Sequence, residues 1–455
     1  MALNNNIQRK KVGLISLGCP KNLVDSEVML GQLKEEGYEI TNNEHEADII
    51  IVNTCGFIND AKQESINAIL EMASLKKQNC ELLIVTGCLA ERYNELIVKE
   101  IPEVDAVLGT GHYGMIAEAI RKAYSGTVEK QVLWGDPGYC NFEGDKRLLS
   151  TPKGYSFLKI ADGCNNHCTY CVIPSLRGRY RSRKMEDIIH EAGYLVDSGA
   201  KELILIAQDT TKYGIDLYGE RKLKDLICEI SKIEKLEWIR LLYCYPDQID
   251  DDLIDEIANN VKVCKYLDVP IQHSSDKILK NMGRKGSSVD IKNIIAKLRE
   301  KIPEIYIRTT MIVGFPGEDE EDFANLHEFV KKLEFERLGV FMYSREEGTP
   351  AAKIKSQVKK DIKRKRHQNL MALQNKITVE KNKSRLNKSY DVLVEGVADD
   401  GIFYYGRSYA EAPDIDGLIY FTSSYPLEEG SFVKVKILNI EQYDLIGVAY
   451  DEFTK

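Results

Sequence analysis

The sequence predicts an α/β protein in three parts: an N-terminal parallel-sheet α/β domain, a partial (β/α)6 barrel, and a small antiparallel β-barrel at the C-terminus. Three observations predict it. Short apolar runs alternate with helical patterns over residues 11–120, and the rhythm resumes from Tyr155 for six further units. From about residue 389, five short strands with Gly-containing turns take over. Alternating strand and helix argues for a parallel sheet with helices on its faces, and short strands separated by turns argue for a barrel. A length of 455 residues fits three domains of about 150 each.

In order along the chain, "KVGLISLG" (11–18), "ADIIIVNT" (47–54) and "ELLIVTG" (81–87) read as buried strands. The first leads into "VDSEVMLGQLKEEG", a helix with Asp25 or Ser26 as the expected N-cap and Gly37 as the stop. Residues 1–126 form this domain, and 127–153, irregular and rich in Gly, Pro and charge, form an expected linker. Residues 154–352 carry the barrel strands "YSFLKIA", "ELILIAQ", "WIRLLYC", "KYLDVPIQ", "YIRTTMIVG" and "RLGVFMYS". Helical stretches at 186–198, 222–233, 250–260, 289–301 and 319–333 separate them. A basic helical bridge spans 353–388. The last domain, 389–455, contains "YDVLVEGV", "IFYYGRSY", "GLIYFT", "SFVKVKILNIEQY" and "LIGVAY".

Hydrophobic content of 43% and charged content of 29% describe an ordinary folded chain. No apolar run approaches the ~18 residues of a membrane helix, and no signal-peptide core precedes the first strand, so no membrane and a cytoplasmic address are expected. In that reducing compartment the eleven cysteines point to metal binding before disulfides. The net charge of −9 is uneven: Leu386–Lys455 has 13 acidic and 5 basic residues, a net of −8, which leaves −1 for the rest.

Six cysteines form two sets. Cys164, Cys168 and Cys171 lie within "ADGCNNHCTYCVIPS", in the loop after the first barrel strand, on the face where barrel active sites form. Thiolates select zinc, copper(I) or iron–sulfur clusters, and spacings of three and two residues let one loop wrap one cluster. A zinc site would need a fourth ligand, for which His167 is the local candidate. Cys19, Cys55 and Cys88 each follow a predicted strand directly. In a parallel sheet those positions share one edge, where α/β folds bind ligands; three small buried cysteines closing strand ends is the alternative. Cys80 precedes its strand and belongs to the opposite edge.

The CxxxCxxC spacing with Tyr170 before the last cysteine resembles the radical S-adenosylmethionine (SAM) superfamily. The whole chain resembles its methylthiotransferase class, through "LGCPKNLVDSE" (17–27), "NTCGFINDAKQES" (53–65) and "TGCLAERY" (86–93). "Pro20-Lys21-Asn22" and "NTCGFI" resemble the RimO branch, which methylthiolates the β-carbon of an aspartate in small-subunit ribosomal protein S-twelve. The resemblance implies a radical SAM barrel, a C-terminal TRAM domain, SAM and two 4Fe–4S clusters. One cluster, on Cys164, Cys168 and Cys171, leaves an iron open for SAM and starts the radical chemistry. The other, on Cys19, Cys55 and Cys88, carries or donates sulfur, and another SAM supplies the methyl group. Replacing an unactivated C–H by C–S is beyond any acid–base side chain, so the difficult step is delegated to cofactors and no proton-transfer residue is nominated.

Tyr170, Gln208, Gln272 and Gly314 are the cofactor-contact candidates; the last three end barrel strands, as do Asp209 and His273. The run "RGRYRSR" (177–183) reads either as an anion-binding loop or as a solvated one. Cys140, Cys228, Cys244 and Cys264 read as structural or incidental, and His190 as a packed or surface residue. An acidic C-terminal domain repels RNA and steers toward a basic ribosomal protein, which favours the protein substrate over the tRNA of the sister branch. The expected partners are S-twelve, free or in the ribosomal subunit, and a one-electron donor such as flavodoxin or ferredoxin; the basic bridge reads either as a contact for ribosomal RNA or as a segment packed against the C-terminal domain. A non-enzymatic iron–sulfur ribosome-binding module is a third reading, against which the open three-cysteine loop counts.

Overall fold

The structure, a computed structural model, describes residues 10–125 and 147–450, together with the backbone of 131–133. The N-terminal domain contains β1 (Lys11–Ser16), α1 (Pro20–Glu35), β2 (Glu39–Ile40), β3 (Ile49–Thr54), α2 (Asn59–Ser74), β4 (Leu82–Gly87), α3 (Cys88–Glu100), β5 (Ala106–Leu108), α4 (Ile116–Ser125) and β6 (Gln131–Leu133). All its strands are parallel, in the order β2-β1-β3-β4-β5-β6. β3 and β4 are buried along their whole length, as a sheet covered on both faces requires. Helices α1 and α4 cover one face through Val28, Met29, Leu33, Ile116 and Ile120. Helices α2 and α3 cover the other through Ile69, Met72, Leu89 and Ile97. The strand order therefore reverses between β1 and β3, a topological switch point where such sheets open a crevice at the carboxyl strand ends.

Two expectations for this region are corrected. Helix α1 starts at Pro20 with Cys19 as its N-cap residue, not at Asp25 or Ser26. Proline is preorganised for the first helical position and loses no hydrogen bond there; Asp25 and Ser26 then lie inside the helix and point to buried partners. The segment 127–153 is not wholly irregular, because Gln131–Leu133 adds the sixth strand to this sheet. Beyond it, Arg147 is buried against Glu27 and Glu191.

The central domain contains β7 (Tyr155–Lys159), the short β8 (Ala161–Asp162), α5 (Ile173–Arg177), β9 (Arg181–Ser182), α6 (Met185–Asp197), β10 (Glu202–Ile206), α7 (Ile215–Tyr218) and α8 (Leu223–Ile230). It continues with β11 (Trp238–Leu241), α9 (Asp251–Asn259), β12 (Val263–Asp268), α10 (Asp276–Asn281), α11 (Ser288–Lys301), β13 (Tyr306–Val313), α12 (Glu320–Leu333) and β14 (Arg337–Met342). Six parallel strands form an open sheet, β14-β13-β12-β11-β10-β7. The largest apolar core joins its outer face to the helices, through residues such as Leu205, Leu241, Leu267, Ile295 and Leu326. The β14 edge is covered by α13 (Lys360–Lys383), the basic bridge: Leu370 and Ile377 enter the same core, and Gln374 donates to the Phe335 carbonyl at 2.8 Å. Covering an edge in this way prevents edge-to-edge pairing with another chain.

The last domain is a closed barrel of β15 (Ser389–Val397), β16 (Tyr404–Arg407), β17 (Ile419–Thr422), β18 (Phe432–Glu441) and β19 (Asp444–Ala449), in the order β15-β16-β17-β19-β18. It is not purely antiparallel as expected, since β17 and β19 pair in parallel. The reason is arithmetic: directions cannot alternate all the way round a closed ring with an odd number of strands. This barrel packs against the amino ends of the central strands. Arg407 reaches Glu202 at 2.8 Å, and Arg240, which donates to Glu202 at 2.6 Å, also donates to the Tyr409 carbonyl at 2.7 Å. Among the described residues no helix is long and apolar enough to cross a membrane.

Candidate functional site

The switch point assembles the first cysteine set. Cys19 ends the β1 loop and caps α1, Cys55 directly follows β3, and Cys88 opens α3 after β4. Glycine makes the approach possible. Gly18 has φ 91°, and a Cβ on it would lie 2.7 Å from Cys55 Cβ; one on Gly56 would lie 2.8 Å from the Cys88 carbonyl oxygen. Asn22, the PKN asparagine, ties the loops together by donating to the carbonyls of Leu17 (3.0 Å) and Thr54 (2.9 Å). Ser65 accepts from the Cys55 amide at 2.9 Å and donates to its carbonyl at 3.0 Å. Cys88 sits at the N-terminus of α3, whose dipole favours thiolate over thiol. Burial works the other way and pushes the Cys88 thiol up to about 12.

The second set lies in the loop between β8 and α5. The Cys164 amide donates to Gly178 O (3.1 Å) and the Cys171 amide to Cys168 O (3.0 Å), so the loop is folded on itself. Backbone amides of Asn166 and Ile173 point at the sulfurs of Cys164 and Cys171, each at 3.4 Å. Tyr245 lies 3.7 Å from Cys168 Sγ, and the Arg284 guanidinium stacks 4.1 Å from the Tyr245 ring. Burial pushes Cys171 up to about 12. Because a thiolate is the ligand form, loading either set releases protons. His167, the local candidate for a fourth ligand, is exposed. Among the described residues no group of three or more His, Cys, Asp or Glu side chains is gathered tightly enough for a single metal ion.

The two sets face each other across the domain interface. Cys88 packs on Val172 and Leu176, so one cysteine of the first set touches the residue that follows Cys171. Beside this contact a buried charge network crosses the interface. Arg177 donates to Asp162 (3.0 Å), to Asp25 (2.9 Å) and to Asn22, while Lys159 bridges the same two aspartates. Burial pushes the Asp162 carboxyl up, but Arg177 and Lys159 more than offset it and hold the group well below the carboxylate range. At the rim, Lys62 and Arg92 of the N-terminal domain both pair with Glu346 at 2.8 Å.

The other candidates are placed as follows. Gln208 donates to Asp162 at 2.8 Å, and its buried Oε1 has no partner. Gln272 sits at the mouth with φ 78°, paired through its backbone to Thr310 and Ile312. Tyr170 packs edge-on to Phe315 at 6.5 Å, at the edge of the small apolar cluster of Ile278, Met282, Phe315 and Tyr343. Gly314 has φ 71°, donates its amide to Glu318 at 2.6 Å, and is overlaid by Lys363 of α13. Asp209 is buried, and accepts from Asn166 at 2.8 Å. His273 is buried 3.6 Å from Glu318. The run 177–183 is neither solvated nor free for anions at its ends: Arg177 serves the network above and Arg183 pairs with Glu191. Cys80 is buried at the opposite edge, Cys244 and Cys264 are buried, Cys228 contacts Glu256, and His190 is exposed. Cys140 lies outside the described residues.

The donor sets fit the groups that such folds hold. Two trios of soft thiols suit iron–sulfur clusters. The orphaned Gln208 Oε1 and the unpaired Arg284 Nη1 face this region as free polar atoms for a ligand bearing both amine and carboxylate, as SAM does. When bound, these groups supply the one-electron chemistry that no side chain has.

A parallel half-barrel with a three-cysteine loop after its first strand, beneath a switch-point sheet with a second trio, defines the radical SAM methylthiotransferase class. Family models agree: "Uncharacterized protein family UPF0004" matches residues 11–109, "Radical SAM superfamily" 158–330 and "TRAM domain" 388–449. A solved radical S-adenosylmethionine methyltransferase, TsrM from Kitasatospora setae, shares the fold at TM-score 0.56 and 17% identity, over 75% of this chain and 77% of that one. The protein named ribosomal protein uS12 methylthiotransferase RimO of Acetivibrio thermocellus is 61% identical over 98% of this chain and 100% of its own. Its namesake in Thermoanaerobacter sp. is 55% identical over 96% and 99%. The chain belongs to the RimO family.

Proposed function

We propose that this protein is a radical SAM methylthiotransferase that adds a methylthio group to the β-carbon of an aspartate in ribosomal protein uS12. SAM and 4Fe–4S clusters are its cofactors. The observation that carries the reading is that two incomplete thiol sets lie at one seam, where Cys88 clusters with Val172, the residue after Cys171, at the carboxyl ends of two parallel sheets. Cys164, Cys168 and Cys171 hold the cluster that engages SAM, with Tyr170, Gln208, Gln272 and Gly314 around the SAM site. Cys19, Cys55 and Cys88 hold the cluster on the sulfur side. The protein's own contribution is to bring the two sets together, neutralise the interface with Arg177 and Lys159, and exclude water by burying Cys88, Cys164 and Cys168.

The division of labour follows 1–126, completed by the strand Gln131–Leu133, then 154–352 and 389–455; the basic bridge 353–388 links the last two and covers the β14 edge. The C-terminal barrel, a TRAM domain, contacts the ribosomal component. Three of its acids, Glu395, Glu411 and Asp416, are turned inward onto Arg407, Arg385 and Arg308, so the steering charge is that of exposed residues such as Asp391, Asp399, Asp400, Glu428 and Glu429. Basic uS12 suits that surface. On α13, Lys360, Arg364 and Lys365 remain exposed for ribosomal RNA. The cytoplasm is the working compartment, and flavodoxin or ferredoxin is the class of electron donor.

The test is anaerobic reconstitution with iron and sulfide, then incubation with SAM, reductant and either uS12 or tRNA. A methylthio group replacing one hydrogen on a uS12 peptide is the expected result. Modification of tRNA alone overturns the reading, and absence of SAM cleavage by the reduced protein overturns its enzymatic basis.

A further inference from the structure

We propose that Lys21 reads the side-chain carboxylate of the target residue, and so makes this enzyme select aspartate; the proposal rests on the functional reading above. Lys21 is the second residue after Cys19, in the first turn of α1, and is only 6% exposed. Its Nζ lies 3.1 Å from the ring centroid of Tyr243, the second residue beyond the carboxyl end of β11. Among the described residues no carboxylate pairs with it. Lys21 therefore lies between the first cysteine set, whose Cys19 is two residues before it, and the barrel domain that carries Tyr243.

Nearby cations differ from Lys21 in being matched. Lys159 and Arg177 share Asp25 and Asp162, and Arg308 pairs with Asp268 at 3.0 Å. Arg284 lacks an acid, but it lies beside Cys168 and Tyr245, at the SAM end. A buried ammonium without a counter-ion is costly, and a cation–π contact offsets only part of that cost. Such an arrangement is stable in use when an anion arrives. Tyr243 is itself held in the left-handed region, φ 62°, by its amide donating to Asp268 at 3.0 Å. Strain of this kind persists where the surroundings fix a side chain for a task, here presenting the ring that aims Lys21. The anion that must enter this space is the substrate's own: the carboxylate one bond from the carbon to be modified. The anionic groups of the other trio have Arg284, and Arg177 bonds Asn22, which also contacts Cys88.

The experiment compares binding of full-length uS12, carrying either Asp or Asn at the position that the wild-type enzyme modifies, to reconstituted wild type, K21M and K21R. A charge-assisted hydrogen bond predicts that wild type prefers the Asp form by about 10- to 100-fold. K21M should bind both forms equally, at the weaker affinity, and K21R should keep a preference. Equal binding of the two forms by wild type overturns the proposal without relying on any enzyme variant. An unchanged Asp preference in iron-loaded K21M also overturns it, and if SAM affinity falls instead, Lys21 serves SAM. A wild-type enzyme that leaves uS12 unmodified removes the functional reading and this proposal together, whereas loss of the preference alone removes only this one.

Discussion

Replacing Arg177 by methionine tests whether the buried network joins the two cysteine-bearing domains. Arg177 is 2% exposed and donates to Asp162 and Asp25 at 3.0 and 2.9 Å. Removing one member of a buried ion pair costs about 3–5 kcal/mol, because the partner charge stays buried. Here the aspartates keep other donors: Lys159 reaches Asp162 at 3.2 Å, and Gly163 N and Gln208 Nε2 each reach it at 2.8 Å. The low end, about 3 kcal/mol, therefore applies. For a unit the size of the central domain each kcal/mol moves the melting midpoint by about 2–4 °C, so R177M should melt about 6–12 °C below wild type. Differential scanning calorimetry measures it. R177K keeps the charge but not the planar fork that spans both aspartates, and should fall between the two. A cycle with D25N should show coupling of about 0.5–3 kcal/mol, since the side chains touch. A midpoint of R177M within about 2 °C of wild type, or additive effects of R177M and D25N, would refute the reasoning.

Two further outcomes follow from the same geometry. C164A should lose SAM cleavage, whereas C55A should keep it and lose sulfur insertion, read by 5′-deoxyadenosine release and by the mass of the uS12 peptide; normal insertion by C55A removes the first cysteine set from the chemistry. Glu411 should make the C-terminal domain acid-sensitive: burial pushes its carboxyl up, but Arg385 and Arg337 hold it at about 2 against 4.5 unfolded. A lowered folded pKa gives stability that is present above the unfolded value and lost as pH falls toward the folded one. The stability difference between wild type and E411Q, followed by urea unfolding, should therefore shrink between about pH 5 and pH 2.

The parts of the fold visible in the sequence were those that depend on local period and position. Apolar runs alternating with helical patterns reveal the two parallel sheets, and a cysteine directly after each of three strands reveals their common edge. Helix α1 was misplaced because proline after Gly-Cys reads as a loop unless the cysteine itself is the capping residue. The all-antiparallel tail was misjudged because strand count, not strand pattern, forces the parallel pair of β17 and β19. The two basic runs read ambiguously for a different reason. Arg177 and Arg183 in one, Arg366 and Arg385 in the other, are buried against Asp162, Glu191, Glu318 and Glu411. Their partners lie 15, 8, 48 and 26 residues away, so no local pattern separates them from surface charge.

The same limit hid the groups that distinguish a working site from two isolated metal loops. Asp25 and Lys159 are 134 residues apart, and Lys21 and Tyr243 belong to different domains. What joins these pairs is tertiary: the N-terminal sheet and the half-barrel meet with both sets of carboxyl strand ends facing inward. Each sheet alone offers three thiols at an open edge. Opposed, each closes the other, so Cys88 rests on Val172 and Arg177 from the barrel completes the loop of Asn22. A chemistry that needs a radical on one side and sulfur on the other requires that opposition; among the described residues, Arg177 and Lys159 at the seam are matched by Asp25 and Asp162, whereas Lys21 and Arg284 pair with no carboxylate.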